Sequence, residues 1–369
     1  MSGPPSERGA GATIALDALG AEQGPGVVIE AALAAAVDGI AVRVFGRPEE
    51  LSELSGAEGI EIVAADDRIS NDDDPVAAVR GRPTASVVRA AADVAEGGSD
   101  ALVSSGSTGA TMAAALFAMK RIKGVHRPAL AVPLPYPGHR PVVLLDGGAG
   151  SEARTEHLVQ FAYLGAAFAE AVLDVENPRV ALLSVGEEAK KGTSTVVEAH
   201  DMLRDGELNF VGNVEGGDLF TEAADVIVTD GFTGNVVLKT VEGTARAYAG
   251  AVSEAEQGSR RAALGGRLMR REQAELNHLI DPDSTGGAML LGLRGIAIVG
   301  HGSAGARGIE NAVRVAAHAV DERAVERTAE LLERSGATRK TLREGGGGED
   351  GSEASNAGAA APAPAKQVP

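Results

Sequence analysis

The chain of 369 residues contains no cysteine and no tryptophan, and its aromatic residues amount to only 3%. Without cysteine, disulfides, thiol nucleophiles and cysteine-based metal sites are excluded. No segment approaches the ~18 consecutive apolar residues of a transmembrane helix. The first residues also lack the apolar region of a secretory signal. We therefore expect a soluble, cytoplasmic protein.

Positive charge is scarce as well. Lysine and arginine number 34 against 52 aspartates and glutamates, and the formal net charge is −18. Nucleic-acid binding needs a basic face that neutralises phosphates, so we expect no nucleic-acid partner. We interpret most of the acidic residues as a solvated surface.

One segment departs from this acidic trend. Five arginines fall within twelve residues of a predicted helix and are interleaved with leucines and a methionine: Arg260, Arg261, Arg267, Arg270 and Arg271. The segment could be a solvated helix face, a docking site for an acidic partner, or a contact with a membrane surface. Gly265 and Gly266 weaken the helix, and therefore also the membrane interpretation.

Several catalytic signatures are missing. The chain has no G-x-x-x-x-G-K-[ST] phosphate loop and no H-E-x-x-H zinc motif, and its seven histidines are scattered. A nucleophile elbow is narrowly missed at Ser107 and at Ser303. The stretch 148–153 fits the G-x-G-x-x-A dinucleotide pattern, which keeps a dehydrogenase-like or nucleotide-binding protein open as an alternative. The sequence itself requires no metal and no cofactor.

The most informative features are two similar turns, at 104–110 (Ser-Ser-Gly-Ser-Thr-Gly-Ala) and 229–235 (Thr-Asp-Gly-Phe-Thr-Gly-Asn). Each follows a short apolar run and leads into a helical pattern. Glycines allow a ligand to approach the backbone closely, and a helix N-terminus offers unpaired N–H groups with partial positive charge. Two such turns suggest an anion or an acyl group held between two loops.

β-branched apolar runs alternate with alanine-rich helical stretches along most of the chain. Strands are predicted at 13–17, 41–45, 60–64, 101–104, 129–134, 141–146, 179–185, 208–212, 225–229 and 296–300. Helices are predicted at 25–37, 84–96, 107–121, 155–173, 192–204, 234–253, 259–279 and 308–334. The alternation predicts an α/β fold, with a mostly parallel sheet covered by helices on both faces.

The domain organisation follows from composition. We expect residues 1–11 to be disordered, 12–343 to form one α/β domain with a basic helical segment near 255–280, and 344–369 to be a disordered low-complexity tail.

A set of ordered motifs resembles one known family. Nearer the N-terminus they are 17–20, 74–80, 105–110 (Ser-Gly-Ser-Thr-Gly-Ala) and 121–130 (Arg-Ile-Lys-Gly-Val-His-Arg-Pro-Ala-Leu). Further along they are 146–149, 156–162, 185–192, 212–215, 230–239, 290–295 and 301–303. Over about 13–321 the chain resembles the bacterial phosphate acyltransferases, which convert acyl-acyl-carrier-protein and inorganic phosphate into acyl phosphate for phospholipid synthesis.

The resemblance implies an architecture similar to that of isocitrate dehydrogenase and phosphotransacetylase, and a homodimer. It also implies acyl-acyl-carrier-protein and inorganic phosphate as partners. The arginine cluster would then dock the acidic carrier protein. A peripheral membrane contact, or the downstream membrane acyltransferase, remains a further partner to consider.

Candidate site residues follow from the turns and from the resemblance together. The phosphate cradle is assigned to Ser105, Ser107, Thr108 and Gly109, because a helix N-terminus follows them. Asp230, Gly231, Thr233, Gly234 and Asn235 would form an opposing wall, with Asp230 and Asn235 catalytic. Lys191 is the candidate catalytic cation, His301 the donor to the carbonyl oxygen, and Asp17 and Asp146 orient these groups. Asn213, Glu215 and Ser303 complete the predicted substrate-binding set.

Some positions depart from the family pattern. The first loop carries Ala21 and Glu22 in place of Gly-Asp, and Ser107 replaces an asparagine. Gly147 and Gly150 replace valine and asparagine, Val299 replaces a lysine, and Arg307 replaces an asparagine. These changes keep open a diverged paralogue that binds acyl groups or carrier proteins without catalysis.

Overall fold

A computed structural model describes residues 11–136, 138–271, 273 and 282–345, and its strands form one sheet. The eleven strands of the described part are ordered β3-β2-β1-β4-β11-β10-β5-β6-β9-β7-β8. They are β1 (Thr13–Asp17), β2 (Ala41–Gly46), β3 (Ile60–Ala64), β4 (Ala101–Ser104), β5 (Ala129–Leu134), β6 (Val142–Leu145), β7 (Val180–Leu183), β8 (Phe210–Val214), β9 (Val226–Val228), β10 (Ala288–Leu291) and β11 (Ile296–Val299).

Strand direction divides the sheet into two halves. Strands β3, β2, β1, β4 and β11 are mutually parallel, and so are β6, β9, β7 and β8. The halves are joined by three antiparallel pairings, β11–β10, β10–β5 and β5–β6. Because three reversals are an odd number, the two halves run in opposite directions. Their carboxyl ends therefore lie at opposite edges, here called the upper edge (β1, β4, β11) and the lower edge (β6, β7, β8, β9).

Helices cover both faces of the sheet. They are α1 (Pro25–Val37), α2 (Pro75–Gly81), α3 (Ser86–Ala95), α4 (Thr108–Met119), α5 (Thr155–Val172), α6 (Ser194–Arg204), α7 (Gly231–Gln257), α8 (Arg260–Leu268), α9 (Ala306–Asp321), α10 (Ala324–Arg334) and α11 (Arg339–Gly345). One face packs mainly on α1, α5 and α9; on the other, α2, α3 and α4 cover the first half of the sheet and α7 contacts the second. The parallel α/β architecture predicted from the sequence is confirmed.

Local chemistry sets where the helices begin. Asp74, Ser107, Thr193, Asp230 and Ser259 each accept a hydrogen bond from the backbone N–H three residues ahead, which satisfies a donor that the helix leaves unpaired. Helices α1 and α2 begin with proline, whose fixed φ suits the first helical position. Polar residues at the ends of strands therefore decide where the loops become helices.

Three elements, β10, α2 and α11, were missed from the sequence, and one predicted helix is two helices. Strand β10 reads Ala-Met-Leu-Leu and contains no β-branched residue, so the signal used to find strands was absent. Helix α2 has seven residues, too few for a helical periodicity. The helix predicted at 308–334 is two helices, because Arg323 adopts φ +52° between them. Of the helix predicted at 259–279, Arg260–Leu268 form α8, and Arg270, Arg271 and Gln273 are helical after a bend at Met269. Residues 272 and 274–279 lie outside the described residues, as do 1–10 and 346–369 of the predicted disordered ends.

Helix α7 and helix α8 form an arm that the rest of the chain barely covers. Of the 27 residues of α7, only Gly231 and Gly234 are buried. Glu256 on α7 packs against Gly266 on α8, so the two helices contact one another. Tyr248, Leu264 and Leu268 are 67%, 60% and 76% exposed. An apolar surface of this kind is typical of a contact with another molecule.

The first turn of α5 gives folding stability a dependence on pH. Burial lowers the pKa of His157 to about 4; the carboxylate of Glu156 opposes this shift, and positive charge on His126 and Arg127 adds to it. Between pH 6.5 and 4 the unfolded chain binds a proton that the native imidazole does not, so stability should fall as pH falls. Because His157 is partly solvated, we expect a loss of about 1–2 kcal/mol.

Urea denaturation across this pH range tests the expectation. His157→Gln should flatten the dependence between pH 6.5 and 4. His139→Gln, which leaves His157 in place, should keep the wild-type slope. An unchanged slope in His157→Gln would assign the effect to other groups.

Candidate functional site

At the upper edge a buried carboxylate organises three loops. Asp17, at the end of β1, accepts hydrogen bonds from Ser86 Oγ at 2.5 Å, Ser104 Oγ at 2.7 Å and the Gly20 N–H at 3.2 Å. Burial raises the pKa of Asp17, and these donors oppose the shift. Thr111 Oγ1 lies 3.1 Å from Ser104 Oγ and extends the network into α4. Asp17 therefore ties the loop before α4 to the loops that carry Gly20 and Ser86.

The N-terminus of α4 is arranged as an anion site. Ser107 caps the helix, and the Thr108 and Gly109 N–H groups occupy its first two positions, where an α-helix supplies no partner. Ser105 is 2% exposed, and its Oγ has no hydrogen-bond partner in the described structure. A buried hydroxyl without a partner is costly. An anion held at the helix N-terminus would give Ser105 an acceptor.

Neighbouring loops confine this site closely. A β-carbon on Gly20 would lie 2.9 Å from the Cα of Gly106, and one on Gly300 would lie 2.7 Å from Ser105 Oγ. Both glycines therefore allow backbone approaches that a side chain would block.

His301 and Ser303 border the same edge. His301 Nδ1 is 2.7 Å from Ser303 Oγ, and Gln23 Nε2 donates to the Ser303 carbonyl at 2.5 Å. The Nδ1 contact orients the ring and leaves Nε2 for another group. The upper site thus comprises Asp17, Ser105, Ser107, Thr108, Gly109, His301 and Ser303 of the predicted set.

The lower edge holds a second cluster around Asp146. Its carboxylate accepts four backbone N–H groups, from Leu130 at 2.9 Å, Gly148 at 3.1 Å, Ala149 at 2.8 Å and Gly150 at 3.0 Å. Burial raises the pKa of Asp146, and the four donors oppose the shift. Asp146 therefore fixes the loop 147–150.

That loop packs against the start of α7. A β-carbon on Gly231 would lie 2.0 Å from the Gly150 carbonyl oxygen, and one on Gly234 would lie 1.9 Å from that of Asp146. Asp230 caps the helix through the Thr233 N–H at 2.9 Å and also accepts from Thr233 Oγ1 at 2.7 Å. The side chain of Asn235 lies beside Gly148.

The remaining predicted residues flank this lower cluster. Lys191 is exposed in the loop that follows β7. Asn213 contacts His200 Nδ1 at 3.1 Å and donates to the Glu188 carbonyl at 3.0 Å, so it supports the Lys191 loop. Glu215 caps the short 3₁₀ turn Gly216–Phe220 together with Asp218. Asn213 and Glu215 thus make structural contacts.

The predicted opposition of the two turns is wrong within one chain. The cradle follows β4 at the upper edge, whereas Asp230, Thr233, Gly234 and Asn235 follow β9 at the lower edge. Both turns follow the carboxyl ends of their strands, as predicted. They point in opposite directions because three antiparallel pairings, an odd number, lie between the two halves of the sheet.

A cavity of about 490 Å³ adjoins the lower cluster. Besides Asp230 and Thr233, its lining includes Ser151 and Glu152, from a polar stretch that the sequence suggests as a substrate loop, and Thr193 and Phe232, which sequence reasoning missed. They come from three separate loops and carry no shared spacing. At the upper edge, Ser86 was missed for the same reason; it lies 69 residues from Asp17.

One group of side chains in the described part could in principle hold a metal. His126, Glu156 and His157 place their ligand atoms within 4.8 Å of one another. Arg127 and Arg154 add positive charge around His157, which opposes cation binding. We assign no metal there.

Comparison with known proteins identifies the family. The family model described as "fatty acid synthesis protein" matches residues 12–327. A phosphate acyltransferase from Heliobacterium modesticaldum is 44% identical over 84% of this chain and 94% of its own length. One from Lysinibacillus sphaericus is 41% identical over 82% and 93%. The chain belongs to the phosphate acyltransferase family.

Solved structures agree on the fold. A phosphotransacetylase from Staphylococcus aureus covers 84% of this chain and 94% of its own, with a TM-score of 0.54 and 17% identity. At that identity the likeness supports the α/β architecture alone. The family match makes this chain an acyltransferase and does not favour the dehydrogenase-like alternative, although residues 148–153 fit a dinucleotide pattern. No helix among the described residues has both the length and the apolar content to cross a membrane.

Proposed function

We propose that this chain transfers a fatty acyl group from acyl-acyl-carrier-protein to inorganic phosphate at the upper site. The observation that carries the assignment is the buried, unpartnered hydroxyl of Ser105 in the loop that leads into the start of α4, where the first N–H groups have no helical partner. A phosphate dianion supplies acceptors for all of these donors. Ser107 and Thr108 add side-chain hydroxyls at the mouth.

The chemistry needs positioning more than base catalysis. A phosphate oxygen attacks the thioester carbonyl carbon, the C–S bond breaks, and the proton of hydrogen phosphate passes to the departing thiolate. Bound phosphate held about 3 Å from the carbonyl would supply most of the advantage. His301 Nε2, oriented by the Ser303 contact, would donate to the oxyanion that develops.

The lower cluster serves the same reaction only through a second subunit. Lys191, Asp230 and Asn235 lie at the opposite sheet edge of their own chain, so a catalytic role requires a partner's upper site. The uncovered α7–α8 arm supports a homodimer, because its exposed apolar residues need a partner. Mixed dimers of a Thr108→Val chain and an Asn235→Ala chain test this: one site should regain full activity. A fully active Asn235→Ala homodimer would remove Asn235 from catalysis, and mixed dimers without recovery would contradict a site shared between two subunits.

Phosphate-dependent release of carrier tests the proposed function directly. Purified enzyme with acyl-acyl-carrier-protein should release free carrier and form acyl phosphate when phosphate is present, and neither product without it. Release that ignores phosphate would indicate a thioesterase. Binding without release in either condition would indicate the non-catalytic paralogue.

We further propose that the arginine cluster docks the acidic carrier in the cytoplasm. Arg261, Arg267 and Arg270 are exposed on or beside α8 in a chain whose net charge is −18. That charge would repel an acidic partner, so a local basic surface is needed for productive encounter. The side chain of Arg260 lies outside the described set.

Charge reversal should separate docking from chemistry. Arg267→Glu with Arg270→Glu should raise KM for the carrier-bound donor about tenfold at low salt, with less effect at high salt. A small acyl thioester without carrier should react nearly as before. Steady-state kinetics with both donors measures this difference.

A matched control is Arg89→Glu with Arg334→Glu, which changes net charge equally at exposed sites on α3 and α10. Its KM should change little. Equal losses with both donors would mean that the cluster supports the fold or the dimer. If neither donor is affected, the carrier docks elsewhere, and a membrane surface or the downstream membrane acyltransferase becomes the partner to test.

A further inference from the structure

A second cavity, of about 680 Å³, lies between the end of α4 and the start of β5. Five cationic side chains line it, and its lining includes no carboxylate: Lys120, Arg121, Lys123, Arg127 and Arg339. The cavity belongs to the lower edge, since β5 begins beside Asp146. It is therefore separate from the upper site at the other end of α4.

These five cations are uncompensated. Elsewhere in the structure, arginines such as Arg43, Arg82 and Arg179 pair with carboxylates. Within the described ranges, none of the five cavity residues forms an ion pair, in a chain with 52 acidic residues. Like charges gathered around one space repel one another, and an anion in that space would relieve the repulsion.

The backbone of Lys120, one of these five residues, has an unusual conformation. Lys120 ends α4 with φ +61° and ψ 171°, a conformation that residues other than glycine rarely adopt. Glycine would adopt this conformation without strain, so a lysine at this position lowers the stability of the fold.

Arg127 is held at the cavity wall by its neighbours. Its Nη1 donates to the Glu152 carbonyl at 2.7 Å, and its guanidinium lies where a β-carbon on residue 150 would stand. Gly150 thus makes room for Arg127 at the cavity wall. One donated bond leaves four of the five N–H donors of this guanidinium available.

The remaining lining residues indicate the chemical class of the ligand. Leu116, Ile122 and Val125 give the cavity an apolar part, and the lining contains no aromatic ring on which a nucleotide base could stack. Three guanidinium groups match the geometry of phosphate oxygens. We propose that this cavity binds a phosphate monoester attached to an apolar chain. An acyl phosphate, which is a mixed anhydride, carries the same phosphate head on an apolar chain, and the site is additional to the proposed catalytic one.

Octyl phosphate is a suitable probe, because it carries a dianionic head on an apolar chain and has no thioester or anhydride to react. Titration calorimetry should show saturable binding to the full chain. Lys120→Gln with Lys123→Gln should weaken binding about tenfold. Lys340→Gln, an exposed neighbour of Arg339 that does not line the cavity, should leave it unchanged.

Further binding measurements distinguish the class of ligand and show which of the two sites binds it. Octanoate and inorganic phosphate should each bind this cavity at least tenfold more weakly than octyl phosphate. Thr108→Val should leave octyl phosphate binding intact, so failure of the proposed function and failure of this proposal are distinguishable. Absence of saturable binding, equal affinity for octanoate or inorganic phosphate, or equal loss in Lys340→Gln would each overturn the proposal. Circular dichroism confirms that the variants are folded.

Discussion

Thr108→Val should fold normally and use inorganic phosphate about 10- to 100-fold less efficiently, judged by kcat/KM for phosphate. The substitution exchanges a hydroxyl for a methyl of similar volume at the first position of α4. One hydrogen bond to a charged group contributes roughly 1.5–3 kcal/mol, which sets this range. Steady-state kinetics with phosphate as the varied substrate measures it.

Ser105→Ala is a second test, in which the stability of the fold and the use of phosphate should not fall together. Because Ser105 Oγ is buried without a partner, removing it should leave thermal stability unchanged or higher by about 1 kcal/mol. Phosphate use should nevertheless fall. A structural serine would behave in the reverse way, with lower stability and unaltered phosphate kinetics.

Thr155→Val is the matched control for both arms. Thr155 also occupies the first position of its helix, α5, and bonds Glu198 at 2.7 Å on the exposed surface. Its loss should leave phosphate kinetics unchanged. Unaltered kinetics in both Thr108→Val and Ser105→Ala would remove the helix-terminus cradle from the proposed function.

Asp146→Ala should cause the largest loss of stability, about 3 kcal/mol or more. Four backbone N–H groups lose their acceptor together, and an unsatisfied buried donor costs roughly 1–3 kcal/mol. The loop 147–150 would loosen against Gly231 and Gly234 at the start of α7. Urea denaturation followed by circular dichroism measures the free energy of unfolding.

Asp146→Asn should fall between the wild type and Asp146→Ala. Oδ1 accepts three of the four N–H groups and Oδ2 accepts only that of Gly150, so an amide oxygen at Oδ1 keeps most of the network. The amide nitrogen would then face the Gly150 N–H, which costs one bond. Equal stability of the Ala and Asn variants would mean that charge, and not acceptor geometry, matters at this position.

Residue patterns predicted much of the fold. Ten of the eleven described strands contain a β-branched residue and lie close to their predicted bounds, among them β1, β4 and β9. The capping residues Ser107 and Asp230 mark the starts of α4 and α7 because a side-chain oxygen there has a defined partner three residues on. Such signals are local, so they can be read along the chain.

The sequence by itself therefore determined the class of fold, the family and the two loops that carry polar chemistry. Tertiary structure decided how these parts are related in space. The antiparallel β5–β6 pairing sends the two loops to opposite edges, because the two reversals on either side of β10 cancel. Strand β10 itself carries no β-branched signal in the sequence. The sequence also did not show that the Ser105 hydroxyl is buried without a partner, or that Lys120 and Arg339 line one cavity. Strand direction, burial and charge pairing depend on contacts between distant residues, and local patterns do not encode such contacts.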